Sequence, residues 1–176
     1  MLPMYSPGDT SLKFIKDVLI KELHQVVKVS PWLAFVSLSS GIEFLGKCID
    51  SGHPESWDIK GRSPEDFKNA IRQLKGLNKH EYLLDKPGFN LYDELRCGLV
   101  HGLAPKSKIS LSHGDNEDKN YDKDGKVNFN IDELYADFKL ACEDVISRDY
   151  LEPNKMNWAK TFVNFRISQP KHPSIN

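Results

Sequence analysis

Apolar positions recur at helical spacing through much of the chain. From Asp9 to Ser11 onward, Leu12, Ile15, Leu19, Leu23 and Val26 keep steps of three and four up to about Val29, which predicts an amphipathic first helix. Ser30-Pro31 interrupts it. The stretch that follows, PWLAFVSLSSGIEFLGK, is apolar nearly all round, the pattern of a helix buried on several sides at the centre of a bundle. Residues 46–62 contain Gly52, Pro54 and Gly61 and read as a long connection with one short turn, in which His53 and Trp57 have no evident partner. A third helix opens at Ser63 as N-cap, with Pro64 at the first helical position and Asp66 where a capping-box acid belongs. Phe67, Ala70, Ile71, Leu74 and Leu77 form its apolar stripe, and Lys68, Arg72, Lys75 and Lys79 lie elsewhere, a solvated face or a rail for phosphates.

The stretch Leu91 to Pro105, LYDELRCGLVHGLAP, organises the rest. Leu91, Leu95, Leu99 and Leu103, with Tyr92 and Val100 beside them, predict an amphipathic helix. Gly102 is expected to supply its left-handed cap, and Pro105 to prevent its continuation. His101 then stands on the last turn, where unpaired carbonyls favour a protonated imidazole. Arg96, five residues earlier, is expected about 140° around the axis from His101, so the two heads meet only through the reach of the arginine or across a second subunit. Asp93, Cys97 and His101, at steps of four, are expected to form one column.

Beyond the motif the period changes. Ile109 and Leu111, then Val127 and Phe129, alternate with polar residues and predict a small β-hairpin inserted at about residues 108–130. Its acidic connection contains Asn120, Asp122, Asp124 and Gly125, which begin like a calcium-binding loop, but the twelfth position is Ile131 where a bidentate Glu is required. Asp124-Gly125 is better read as turn chemistry. A last helix is predicted over Asp132 to Tyr150, with Leu134, Tyr135, Phe138, Ala141, Cys142, Val145 and Ile146 as its stripe. From Pro153 the chain is basic and aromatic, holding Trp158, Phe162, Val163, Phe165 and Ile167, too apolar to be simply disordered, and docking back on the bundle is the default reading.

Composition adds little against this picture. The 176 residues suffice for one domain with a sizeable core, here about 1–152, followed by the 153–176 tail. Cys48, Cys97 and Cys142 are widely separated and form no CxxC pair, so neither a disulfide framework nor a zinc site is indicated, and no metal or other cofactor is called for. No secretory leader is evident, and Trp32 to Leu45 is short and interrupted for a bilayer span, so the expectation is a cytoplasmic protein without membrane contact. The net charge of −1 gives no global attraction for nucleic acid. The acidic excess is confined to residues 113–152, which directs any polyanion to the motif face or the tail. Glu43 is the only charge between Ser30 and Lys47. A carboxylate carried into a core needs a partner, so Glu43 either faces Arg96 or emerges at the edge of its helix and is solvated.

Arg, four residues, then His, closing a helix in the context LRCGLVHGL, resembles the motif of the HEPN superfamily. The resemblance also takes in the apolar second helix ending in GIEFLGK, the capped third helix and the final amphipathic helix. It implies an all-α, HEPN-like bundle of four to five helices with the hairpin as decoration. It also implies a homodimer in which two copies of the motif cleave RNA without metal, His101 acting as general acid/base and Arg96 binding phosphate. Glu43, Cys97 and Asp93 would support that site. Cys97 stands where catalytic members commonly carry a polar residue, often Asn.

Three functions compete at this stage. The first is the metal-independent endoribonuclease. The second is a non-catalytic HEPN-like module that binds RNA or a protein, including an antitoxin-like partner. The third is a cysteine enzyme using Cys97 and His101 with Asp93 behind them. Beside all three stands the plain reading, in which Arg96 pairs with Asp93, His101 caps a helix and Cys97 fills space.

Overall fold

The computed structural model describes residues 11–50, 60–114 and 125–147. The described chain is mainly helical with one two-stranded sheet. Helix α1 runs from Ser11–Phe14 through a π-wound segment, Ile15–Glu22, into Leu23–Val29. The winding explains its core stripe. Ile15, Leu19, Leu23 and Val27 are buried at uniform steps of four, a spacing that drifts around an ideal α-helix but stays in line where i→i+5 bonding adds a residue to the turn. Val27 therefore takes the core position expected of Val26, which is half-buried.

Helix α2, Pro31–Ile49, is the centre of the bundle. It buries Phe35, Leu38, Ile42 and Leu45 on several sides, as its nearly continuous apolarity predicts. Its nineteen residues have the length and apolarity of a membrane span, and 61% of that window is buried inside the fold. Helix α3, Ser63–Gln73, packs tightly on α2 at Gly46, where a Cβ would lie 1.7 Å from the Asp66 carbonyl oxygen. Only a glycine lets the two backbones approach so closely. Phe67, Ala70 and Ile71 fill the interface, while Leu74 and Leu77 are buried beyond the end of the helix. A 3₁₀ segment, Leu77–Leu83, leads on towards the motif helix α4, whose π segment Tyr92–Cys97 passes into Gly98–Gly102.

The four basic residues around α3 are engaged with acids: Lys68 with Glu65, Arg72 with Glu81 and Asp85, Lys75 with Asp144, and Lys79 with Asp137. This neutralisation answers for their position without a phosphate.

Strands β1, Ile109–Ser112, and β2, Val127–Asn130, pair in parallel, Ile109 opposite Val127 and Leu111 opposite Phe129. The expected hairpin is therefore corrected. Alternation places the same side chains on the core face in either direction, and the connection 113–126 is long enough for the crossover that parallel strands require. Gly125 adopts φ +75°, but it lies at the entry to β2 rather than between two antiparallel strands. Asn120, Asp122 and Asp124 of the calcium-like series fall outside the described residues, as do His53, Trp57 and the 153–176 tail.

Helix α5, Ile131–Ser147, closes the bundle with Leu134, Phe138, Ala141, Cys142 and Val145 buried. Asn130 caps it, its Oδ1 accepting from the backbone N–H groups of Asp132 and Glu133. Cys142 is 0% exposed, a packing residue whose thiol burial pushes its pKa well up.

Candidate functional site

The site forms where α4 crosses α2 and the start of α3. Glu43, on α2, is 6% exposed and collects three partners. Lys47 Nζ lies 3.0 Å from its Oε1, the Ser63 side chain hydrogen-bonds the carboxylate, and Arg96 Nε stands 2.8 Å from Oε2. The Arg96 Nε–H is not aligned on that oxygen, so this contact is a close charge pair without a hydrogen bond. Burial raises the Glu43 pKa. The bonds from Ser63 and Lys47, with the charges of Lys47 and Arg96, outweigh burial and hold the carboxyl below its ordinary value. The expected Glu43–Arg96 pairing is present, but Ser63 is spent on Glu43 instead of capping α3, whose cap position is Arg62.

Arg96 is fixed from three directions. Beyond Glu43 at its Nε, its Nη1 lies 3.2 Å from His101 Nε2, and its guanidinium carbon lies 5.6 Å from the centre of the Tyr92 ring. Tyr92 packs edge-on against Phe67 at 5.6 Å between centroids. Burial pushes the Tyr92 hydroxyl pKa up against the opposing charge of Arg96. Because a guanidinium can only donate, the His101 Nε2 accepts, which places the ring proton on Nδ1.

The two heads meet within one chain. Gly98–Gly102 is ordinary α-helix, so the contact is made by the first of the two routes open at ideal geometry, the reach of the arginine. Asp93 accepts from Lys106 Nζ at 2.6 Å and His101 lies against Arg96 at 3.2 Å, so two of the three residues of a cysteine site are engaged elsewhere.

The end of α4 is also built differently from its sequence signal. Gly102 stays helical, and Leu103 takes the left-handed conformation at φ 54°. Gly98 is the glycine the turn needs, because a Cβ there would lie 2.7 Å from the Ala104 carbonyl oxygen. The chain folds back over it, with Lys106 N–H donating to the Glu94 carbonyl at 2.9 Å. The Trp32 indole N–H donates to the Leu103 carbonyl at 2.8 Å and ties the start of α2 to this turn.

Behind Glu43 lies a second buried carboxylate. Asp66 is 0% exposed, neither of its oxygens accepts a hydrogen bond among the described residues, and Arg62 Nε is 3.9 Å away. Arg62 instead pairs closely with Asp50. Burial raises the Asp66 pKa, and the nearby Asp50 and Glu43 add to the rise against the pull of Lys47 and Arg62. Its capping-box role is therefore not taken up.

A separate polar cleft lies between the 3₁₀ segment and α5, where Asp137 Oδ2 meets Lys79 Nζ at 2.7 Å and His80 Nε2 at 3.0 Å. This cluster joins two elements across the fold. Among the described residues no group of three or more His, Cys, Asp or Glu side chains is placed to hold a metal ion.

Sequence reasoning missed Tyr92, Ser63 and Trp32. Tyr92 carries a signal, since it stands four residues before Arg96 on one helix. Ser63 and Trp32 carry none, because their partners are remote in sequence. No protein-family model, curated protein or solved structure matches this chain.

Proposed function

We propose that this chain is a HEPN-like domain acting as a metal-independent endoribonuclease, with Arg96 and His101 as its catalytic residues and a homodimer as its working form. The observation that carries the reading is the 3.2 Å approach of Arg96 Nη1 to His101 Nε2, with Arg96 held by Glu43 and His101 exposed to solvent. An arginine so fixed presents a planar cation where a phosphate can sit, and an imidazole beside it is a group able to exchange a proton with the substrate.

In the reaction, Arg96 transfers its donors from His101 to a phosphodiester oxygen. The freed Nε2 takes the proton of the ribose 2′-hydroxyl as that oxygen bonds to phosphorus, and Arg96 stabilises the charge of the phosphorane. The bond from phosphorus to the 5′-oxygen breaks, leaving a 2′,3′-cyclic phosphate. A second copy of the Arg96–His101 pair, its imidazole protonated, gives a proton to the departing oxygen, which is why a homodimer belongs to the reading. Cytoplasmic RNA is the natural substrate pool for such a site.

One observation favours a second reading. The His101 ring nitrogen is already engaged by Arg96, whose Nε faces Glu43, so the pair has partners without a substrate. A non-catalytic HEPN-like module, binding RNA or an antitoxin-like protein, would need nothing more.

Incubation of the purified protein with labelled RNAs in EDTA decides between them. Cleavage that leaves cyclic phosphate ends and is lost in both His101→Ala and Arg96→Ala supports the nuclease. Intact RNA with a folded wild-type protein overturns it.

A further inference from the structure

Trp32 and Glu43 are eleven residues apart on α2, just over three whole turns, so they share one face of that helix about 16 Å apart along its axis. The motif helix lies along that face. Glu43 meets it at Arg96, and Trp32 meets it at Leu103, two residues beyond His101. The polar site and the indole are thus the two ends of one line, with His101 between them.

The indole is unusual for a large aromatic. Its N–H is satisfied at 2.8 Å by the Leu103 carbonyl, which fixes the orientation of the ring, yet the residue is 47% exposed. Leu33 and Leu103 beside it are 55% and 61% exposed. A held, half-open aromatic with apolar flanks is what an unpaired nucleobase stacks on, and single-stranded RNA is recognised in this way, by splayed bases on aromatic faces beside a cationic path for the backbone.

We infer that Trp32 is a stacking platform for a nucleobase of single-stranded RNA whose adjoining phosphate lies at Arg96 and His101. The inference rests on the phosphate reading of that pair but not on catalysis there. It assigns the exposed apolar surface at the start of α2 to the substrate. It also gives the left-handed turn at Leu103 a task, which is to present the carbonyl that orients the indole. Trp32 binds and positions; it takes no part in proton transfer.

The test uses the full chain with fluorescein-labelled 2′-O-methyl oligouridylate, which lacks the attacking hydroxyl and cannot be cleaved, and a matched oligonucleotide with abasic sites. Trp32→Ala should weaken binding of the base-bearing probe roughly ten-fold, Trp32→Phe should restore most of it, and binding of the abasic probe should be indifferent to either change. Equal binding of the base-bearing probe by wild type and Trp32→Ala overturns the inference, as does failure of the wild type to bind it. Sedimentation is run on the same samples. A smaller oligomer in Trp32→Ala would mean that the indole face joins two copies of this chain, and would also overturn it. Cleavage of unmodified RNA by the wild type is scored separately. Base-dependent binding through Trp32 without cleavage removes the nuclease reading alone, and cleavage with binding unaffected by Trp32→Ala removes the stacking platform alone.

Discussion

Arg96 and Glu43 form a close charge pair, 2.8 Å from Nε to Oε2, in which no hydrogen bond runs along the contact. The pair is shielded, the side chains being 15% and 8% exposed, so each charge depends on the other more than surface ions do. Removing the carboxylate by Glu43→Gln should cost about 3 kcal/mol of stability, read as a lowered urea midpoint. The expected companion effect is a loosened Arg96 and, for the nuclease reading, a fall in kcat larger than the change in KM.

Asp66 sets a pH dependence of opposite sign to that of Glu43. The folded-state pKa of Asp66 is raised, chiefly by burial, so the folded protein holds its proton where the unfolded chain has lost it. Stability from this group is therefore full below the ordinary carboxylate range and is lost as pH rises through the raised value. Glu43, held low, contributes stability above the ordinary range that is lost as pH falls through its lowered value. Denaturant titrations from pH 3 to 8 on wild type and Asp66→Asn should show the variant gaining on wild type as pH rises. A constant difference across that range would mean that Asp66 titrates alike folded and unfolded.

Tyr92 separates packing from orientation. Tyr92→Phe keeps the ring over Arg96 and against Phe67 and removes only the hydroxyl, so stability should fall by about 1 kcal/mol or less. Tyr92→Ala removes ring and contacts together and should cost about 3 kcal/mol. Thermal unfolding of the two variants checks the ranking, and any RNA cleavage should survive in the first and drop in the second.

Leu103 is the non-glycine residue at positive φ among the described residues, and it is 61% exposed. Leu103→Gly relieves the left-handed strain at little cost in burial and should stabilise the protein by about 0.5–1 kcal/mol. The measured consequence is a Tm raised by roughly 2 °C. An unchanged or lowered Tm would show that the leucine side chain contributes more than its exposure indicates.

Much of the helical architecture and the central charge pair were legible in the sequence. The position of α2 followed from apolarity on all sides, and the Glu43–Arg96 contact from the need of an isolated buried carboxylate for a partner. The Arg96–His101 approach was legible only as one of two routes, because five residues carry two side chains to different faces of an α-helix and the letters do not say whether the arginine's reach or a second copy brings them together. The direction of β2 was illegible because alternation fixes which face is buried, not which way the strand runs. The turn at Leu103 was misplaced because a glycine signals where a left-handed residue is easiest, while the fold-back over Gly98 decides where it is required.

The π winding in α4 amounts to one surplus residue absorbed within a helix whose ends stay in place. Its consequence concerns deletions. Losing a single residue from 92–95 would let the helix relax to ordinary winding, which turns everything beyond by about 100° relative to what precedes. Arg96 would then swing off Glu43, carrying His101 with it, or Leu91 would leave the core. A chain one residue shorter here would keep the letters of the motif and lose its address in the fold.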